Sequence, residues 1–165
     1  MRVIGIDASL RSTGLAVVDS SGGRMAAVEH DTVRNSADLP HSECLRHVQE
    51  GVAAVLARCK PQAAAIEGGF YFKNARTAMI LGEVRGVVIA ACASAGVPVY
   101  EYSPRDAKKA LTGFGGAQKD QVAKMVMSIL GLEEKPQEDA ADALAIAICH
   151  LQSQTGIAAL RAEPI

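Results

Sequence analysis

Val3-Ile4-Gly5-Ile6-Asp7, close to the start of the chain, predicts a buried strand that ends abruptly in a charge. A second apolar run, Ala63-Ala64-Ala65-Ile66, ends in the same way at Glu67. If the two strands are parallel neighbours, their final carboxylates stand about 5 Å apart. We therefore expect Asp7 and Glu67 to lie side by side at one end of a sheet.

Two further acids, Asp139 and Asp142, are three residues apart in the segment 137–150, QEDAADALAIAICH, and so share one face of a predicted helix. The alanines between and after them permit close packing of that helix. Four carboxylates brought together repel one another and are costly to bury unless cations occupy the site. Because hard oxygen ligands suit Mg²⁺ or Mn²⁺, we predict a phosphodiester-cleaving site with two metal ions, bridged by Asp7.

The formal net charge of −1 gives no overall sign of nucleic-acid binding, so a phosphate-binding surface has to be local. Residues 103–124 carry more basic than acidic side chains, namely Arg105, Lys108, Lys109, Lys119 and Lys124 against Asp106 and Asp120. Lys73, Arg76 and Arg85 form a second basic stretch. Lys119, at the start of a predicted helix, could offset charge that develops on a scissile phosphate, as could Lys108. The alternative is that these charges only coat a solvated surface.

Three aromatic residues, Phe70, Tyr71 and Phe72, follow Glu67 almost directly. Neighbouring side chains diverge, so the three rings cannot all face one core. We expect at least one of them to project from a loop beside the metals, where it could stack on unpaired bases or wedge between them. The alternative is that they pack beneath the long helix that follows, which we expect for one or two of the three.

The order of predicted elements favours an α/β fold with a five-stranded mixed sheet flanked by helices. Three strands form a meander, and helices then alternate with strands. The strands are predicted at 3–7, 14–19, 25–33, 63–67 and 97–102, and helices at 42–59, 74–95, 119–130 and after Pro136, with a further helix capped by Ser103 and starting at Pro104. The first strand would be central, with 63–67 beside it. We expect one domain over 1–152 and a frayed tail over 153–165.

The helix predicted over 74–95 is apolar on most sides, which indicates burial between layers or against another subunit. The weakly polar stretch 86–96 is too short to cross a bilayer, and the first apolar run is broken at Asp7, too early for a secretory signal. The cysteines form no Cys-x-x-Cys pair, which favours structural thiols over a zinc site. We therefore expect a cytoplasmic protein without a membrane segment.

Four segments resemble, in order and spacing, the bacterial RuvC Holliday-junction resolvases. They are GIDASLRSTG (5–14), AIEGGFYFKNARTAMILGEVRGVVIAA (65–91), VYEYSPRDAKKALTGFGGAQKDQV (99–122) and QEDAADALAIAICH (137–150). The resemblance implies a ribonuclease-H-like fold and a homodimer that nicks two opposed strands of a four-way DNA junction symmetrically, with Mg²⁺ or Mn²⁺. It also implies a role in recombination and repair, in cooperation with the RuvA–RuvB branch-migration complex.

Matched residue by residue, the family's catalytic acids fall on four positions, Asp7, Glu67, Asp139 and Asp142. The aromatic residue that opens the junction centre falls on Phe70, and basic residues of the DNA surface fall on Lys108 and Lys119. Further DNA contacts are expected from Tyr71, Lys73, Arg76 and Lys109. The long helix corresponds to the family's dimer interface, and we expect Val84 and Val88 to lie in it.

The chain departs from the family pattern at two turns. Ala8-Ser9 follows Asp7 where the family usually has Pro-Gly, and Gly68-Gly69 precedes Phe70. Neither change removes a catalytic group, but both leave the cutting rate and the sequence preference open.

Three other functions remain as alternatives. Gly5-Ile6-Asp7 with Gly14 also resembles the first phosphate loop of actin-like sugar kinases, although these need a second, similar domain that a chain of 165 residues does not accommodate. A junction-binding protein that has lost cutting would not need four mutually repelling acids. A related nuclease could instead act on RNA or on linear DNA.

Overall fold

The structure, a computed structural model, describes residues 1–68, 74–155 and 162–165. The predicted elements occur in the predicted order, including the short helix predicted to start at Pro104. The strands are β1 (Arg2–Asp7), β2 (Ser12–Ser21), β3 (Arg24–Arg34), β4 (Ala63–Glu67) and β5 (Val99–Tyr102). The helices are α1 (His41–Cys59), α2 (Ala75–Ser94), α3 (Pro104–Thr112), α4 (Lys119–Leu130) and α5 (Glu138–Ser153).

The five strands form one mixed sheet in the order β3-β2-β1-β4-β5, so the predicted sheet with a central β1 is confirmed. β1 pairs antiparallel with β2 and parallel with β4, and β5 continues the parallel part. Ile6 lies opposite Ile66 in the parallel pair. Asp7 and Glu67, the next residues of the two strands, therefore emerge together at one end of the sheet.

Each face of the sheet has its own core. One core joins Val3 and Ala65 to α3, α4 and α5. The other joins Ile4 and Ile66 to α1 and α2. Because side chains alternate along a strand, Asp7 and Glu67 point to the face that α5 covers.

Helix α5 lies directly on the backbone of β1 and β2, because both strands have a glycine beneath it. A Cβ atom at Gly5 would overlap the carbonyl oxygen of Ala143, and one at Gly14 would overlap the carbonyl oxygen of Asp139. Ala143 is fully buried at this contact. The glycines thus set how deep α5 lies, and with it the height of Asp139 and Asp142 above the strand ends.

Helix α3 begins as the Ser103-Pro104 dipeptide predicts. The Ser103 hydroxyl accepts a hydrogen bond from the Asp106 backbone N–H at 3.1 Å, and Pro104 is the first helical residue. Helix α4 ends at Gly131, whose positive φ of 65° favours glycine. Helix α3 carries Lys108, and helix α4 carries Lys119.

The cysteines are free and buried, namely Cys44, Cys59, Cys92 and Cys149. Burial raises the pKa of the Cys92 thiol to about 11 and that of Cys149 to about 12. Cys92 and Cys149 therefore stay protonated, and the buried cysteines pack as small apolar side chains, in agreement with the predicted structural role.

Residues 162–165 differ from the expectation of a frayed tail. Ala162 packs against the core beneath α5. The backbone N–H of Ile165 donates to the carbonyl oxygen of Val99 at 2.9 Å, on the edge strand β5. This end of the chain therefore covers part of the open edge of the sheet.

Helix α2 is only partly covered by the rest of the chain. Val84 and Val88 are fully buried in the core that α2 shares with β1 and β4, so the expectation that they lie in a subunit interface is wrong. Within the described residues α2 is the one helix that is long and apolar enough to cross a membrane by length and composition. The prediction of no membrane segment considered only the shorter stretch 86–96, which lies partly within α2. Only 22% of the apolar span of α2 is buried. A large, weakly polar face of α2 is thus left uncovered.

Adding a methyl group beneath α5 should destabilise the fold. Gly5→Ala should lower the free energy of unfolding by about 2–4 kcal/mol, because the new methyl meets helix backbone that has no room to move aside. Urea denaturation measures this. Ser128→Ala, at an exposed position of α4, is the control and should be neutral or stabilise by up to about 0.5 kcal/mol. A Gly5→Ala protein as stable as the parent would contradict the packing described for α5.

Candidate active site

The predicted acids come from three elements that meet at one end of the sheet. Asp7 ends β1, Glu67 ends β4, and Asp139 and Asp142 lie in the first turns of α5. The N-terminus of a helix carries partial positive charge, which favours carboxylates there. The start of α5 is thus an electrostatically suitable place for its two acids.

An open cavity of about 270 Å³ lies at the carboxyl ends of β1 and β4. Polar side chains from five elements line it, namely Asp7, Glu67, Lys108, Lys119 and Asp142. Pro104, Ala107, Val122, Ala145 and Ile146 form its apolar wall. The structure therefore brings three of the four predicted acids and both predicted lysines around one space.

Asp7 has the most strongly shifted pKa among these acids. The pKa of its carboxyl is raised from 3.8 to about 7, first by burial and then by the negative charges of Asp142, Glu67 and Asp139. The positive charge of Lys119 acts in the opposite direction. Asp7 is therefore the acid that gains most from additional positive charge in the cavity.

Glu67 and Asp142 are shifted in the same sense. Burial raises the pKa of both, and the Asp142 charge raises that of Glu67 further. Lys119 lowers the pKa of both, and Lys108 also lowers that of Glu67. The site thus combines mutually repelling acids with two lysines that offset part of the repulsion.

Lys119 lies at the edge of the cavity, as its place at the start of α4 predicts. Its Nζ donates to Glu138 Oε1 at 2.5 Å and lies 3.6 Å from Asp142 Oδ2. The hydrogen bond with Glu138 and the charge of Asp142 raise the pKa of the Lys119 ammonium. Lys119 therefore carries its charge beside the acids, held by a residue that the sequence did not single out.

Asp139 lies beside the cavity and is held by a second residue that sequence reasoning missed. The Ser12 hydroxyl, at the start of β2, donates to Asp139 Oδ2. Within residues 1–68, 74–155 and 162–165, no three Asp, Glu, His or Cys side chains converge closely enough to hold a metal ion. Asp142, Glu67 and Asp139 each raise the pKa of Asp7, so the four acids interact, while their assignment as metal ligands stays a prediction.

Arg85 contacts the backbone of Glu67 and does not line the acid cavity. Its guanidinium donates to the carbonyl oxygen of Glu67 at 2.8 Å and to Glu101 Oε2 at 2.5 Å. The sequence suggested Arg85 only as part of a basic stretch. The structure instead gives it a pair of acceptors within the protein.

The remaining predicted DNA contacts lie outside the cavity or outside the described residues. Arg76 is exposed in the first turn of α2, and Lys109 lines a different cavity together with Asp106. Phe70, Tyr71 and Lys73 belong to residues 69–73, which the structure does not describe. All five stay predictions.

Comparison with known proteins identifies the family. The sequence profile of the family described as "Crossover junction endodeoxyribonuclease RuvC" matches residues 3–150. The chain belongs to the RuvC family. The RuvC of Myxococcus xanthus strain DK1622 is 44% identical over 153 residues, which are 92% of this chain and 80% of that relative. RuvC proteins are metal-dependent nucleases.

Solved structures agree with this membership. The structure described as Thermus thermophilus RuvC in complex with Holliday junction substrate is 38% identical and covers 100% of this chain and 99% of its own, with a TM-score of 0.93. The yeast mitochondrial Holliday junction resolvase Ydc2 shares the fold at 12% identity, with a TM-score of 0.69 over 93% of this chain and 78% of its own. The predicted ribonuclease-H-like fold is thereby confirmed.

Removing the Asp7 charge should stabilise the metal-free protein at alkaline pH. Because the folded-state pKa of Asp7 is raised from 3.8 to about 7, the folded protein holds a proton that the unfolded chain has released, and stability falls as pH rises through this window. In EDTA, Asp7→Asn should be about 1–3 kcal/mol more stable than the parent at pH 8 and near it at pH 4. Thermal unfolding at both pH values measures the difference.

Glu133→Gln supplies the control, since it neutralises an exposed acid away from the cavity and should behave like the parent at both pH values. If Asp7→Asn gives the same stability as the parent at pH 8, the repulsion described for Asp7 is absent.

Proposed function

We infer that this chain is a structure-selective DNA endonuclease that resolves four-way (Holliday) junctions in homologous recombination and repair. It does so by paired, symmetric, metal-dependent nicking of two opposed strands. The observation that carries this conclusion is the match, over the whole chain at a TM-score of 0.93, to a RuvC bound to a Holliday junction. The family profile over residues 3–150 supports the same function.

We assign the catalytic acids and metal ligands to Asp7, Glu67, Asp139 and Asp142. The metal is Mg²⁺, with Mn²⁺ as a substitute, at two ions per site. Support comes from the hard oxygen donors and from the raised pKa of Asp7, Glu67 and Asp142, which marks an acid cluster short of positive charge. When bound, such cations activate water and stabilise the leaving oxygen of a phosphodiester.

The lysines of the cavity handle the phosphate. Lys108 and Lys119 lie on the α3 and α4 side of the acids, where they attract a DNA backbone that the acids alone would repel. Lys119 also acts as a catalytic charge, because a cation fixed beside the reacting phosphate offsets the negative charge that develops there. Its contacts with Glu138 and Asp142 hold the ammonium at the edge of the cavity.

Further DNA contacts come from the segment after Glu67 and from the neighbouring helices. Phe70 opens the junction centre, and Tyr71 and Lys73 contact the strands beside it. Arg76 and Lys109 extend the basic surface. The family resemblance supports these assignments, and exposure supports those of Arg76 and Lys109.

The active form is a homodimer joined through α2. A two-fold dimer presents two sites, as paired incision of a symmetric junction requires. An exposed stripe of small residues at four-residue spacing runs along α2, namely Ala78, Gly82, Gly86 and Ala90, and Met79 beside it is 67% exposed. Such a weakly polar face is suited to close packing against the same helix of a second copy.

The cellular context follows from the family. The protein works in the cytoplasm and cooperates with the RuvA–RuvB branch-migration complex. Only the resemblance supports this cooperation.

Loss of the Asp7 carboxylate should separate cutting from binding. Asp7→Asn should reduce cleavage of a labelled synthetic four-way junction in Mg²⁺ by about 10³-fold or more, because it removes a central oxygen ligand. Junction affinity without divalent ions should stay the same or rise, since a negative charge that faces the phosphate is gone. Glu133→Gln should cut like the parent. If Asp7→Asn cuts equally well, the metal assignment fails.

A charge on the exposed face of α2 should produce monomers that still fold. Ala90→Glu should dissociate the dimer in sedimentation velocity and convert paired cuts into single nicks, because a carboxylate would be buried at the interface. Ser128→Glu, at an exposed position of α4 on the opposite side of the sheet, adds the same charge and should remain dimeric. An Ala90→Glu protein that stays dimeric would place the interface elsewhere.

A further inference from the structure

We propose that Arg85 and Glu101 act as a positioning pair that fixes the backbone of Glu67 and thereby sets metal affinity and cleavage rate. We call this pair the Glu67 clamp. Neither residue lines the acid cavity, so both act through Glu67 rather than on the DNA. The inference rests on the proposed function, because it assigns a role in the same site.

The first contact of the clamp is the guanidinium fork of Arg85. One of its nitrogens donates to the Glu67 carbonyl oxygen at 2.8 Å and another to Glu101 Oε2 at 2.5 Å. The side chain of Arg85 is only 20% exposed, and that of Glu101 is 35% exposed. A partly buried arginine with two acceptors has little freedom to move, so the Glu67 carbonyl is held in place.

The second contact is the close packing of Glu101 on Gly68. A Cβ atom at Gly68 would overlap the Glu101 side chain, so Glu101 lies directly against the α-carbon of Gly68. The Gly68 N–H also donates to the Tyr102 carbonyl oxygen at 2.9 Å. The peptide between Glu67 and Gly68 is thus held at its oxygen, at its nitrogen and at the following α-carbon.

This arrangement explains why glycine follows Glu67 in this chain. Any larger residue at position 68 would displace Glu101 and with it the acceptor of Arg85. Gly68-Gly69 is one of the departures from the family pattern, and the clamp gives Gly68 a packing role. Glu67 is the last residue of β4. The contacts of the clamp hold the backbone at this strand end, as further strand pairing would hold it in a longer strand.

Small displacements of Glu67 matter for catalysis. A misplacement of about 1 Å can lower an enzymatic rate by about 10²-fold, and changes in residues that support metal ligands typically alter affinity or activity by about 10–100-fold. A residue that orients Glu67 should therefore affect metal binding and the chemical step while leaving junction binding intact.

The test compares Arg85→Met and Arg85→Lys with the parent protein in three measurements. These are single-turnover cleavage at saturating junction, junction affinity without divalent ions, and titration of the DNA-free protein with Mn²⁺. Arg85→Met should cleave about 10–100-fold more slowly and bind Mn²⁺ more weakly, with junction affinity within about twofold. Arg85→Lys keeps the charge but has no fork to span both acceptors, so it should show most of the same loss.

Arg58→Met is the matched control. Arg58, in α1, also forms a two-nitrogen ion pair: its Nε at 3.0 Å and its Nη2 at 2.6 Å donate to the carboxylate of Glu29 in the edge strand β3. Its removal costs an ion pair of the same chemistry away from the acids. Cleavage and Mn²⁺ binding should match those of the parent.

Three results would overturn the clamp. The first is parental cleavage and parental Mn²⁺ affinity in Arg85→Met. The second is a slower rate explained entirely by a smaller folded fraction in thermal unfolding. The third is a loss of junction affinity as large as the loss of rate, which would make Arg85 a DNA contact. If the parent itself cleaves no junction, the proposed function fails, and the clamp is then tested by the Mn²⁺ titration alone. Weaker Mn²⁺ binding by Arg85→Met would support the clamp. Equal Mn²⁺ affinities would contradict it.

Discussion

The backbone contact between α5 and the glycines of β1 and β2 determines where the functional groups of this protein lie. Gly5 and Gly14 admit the helix to the surface of the sheet without any intervening side chain. Asp139 and Asp142 stand on that helix, while Asp7 and Glu67 rise from the strands beneath it. The meeting of the acids is therefore a result of core packing, and a change in the depth of α5 alters the site even without touching an acid.

The site also shows a balance between stability and function. The pKa of Asp7 is raised to about 7 because burial and three like charges oppose its ionisation. Lys119 reduces this opposition without removing it, since two other carboxylates, Glu138 and Asp142, also contact its ammonium. Such an arrangement stabilises the folded chain less than neutral side chains would, and it suits a protein whose chemistry depends on binding positive charge.

The sequence predicts the local features of this molecule well and its long-range contacts poorly. The positions of Asp7 and Glu67 at the ends of strands are predicted correctly, because an apolar run followed by a charge is a local signal. The all-round apolar character of α2 predicts contacts on several sides but does not indicate which side faces the chain's own core. The prediction therefore placed Val84 and Val88 in a subunit interface, although they lie in that core. Ser12 contacts Asp139, 127 residues further along the chain, and Arg85 contacts Glu101 on a different element. No spacing within either segment indicates these contacts.

Helix α2 has two roles. Arg85 supports the backbone of Glu67, and Ala90 and its neighbours form the face proposed to join two copies. In that dimer the packing of α2 against its copy would set the distance between the two acid sites. The protein would then select its DNA by this distance. A junction whose two strands cannot reach both sites would receive one nick instead of two.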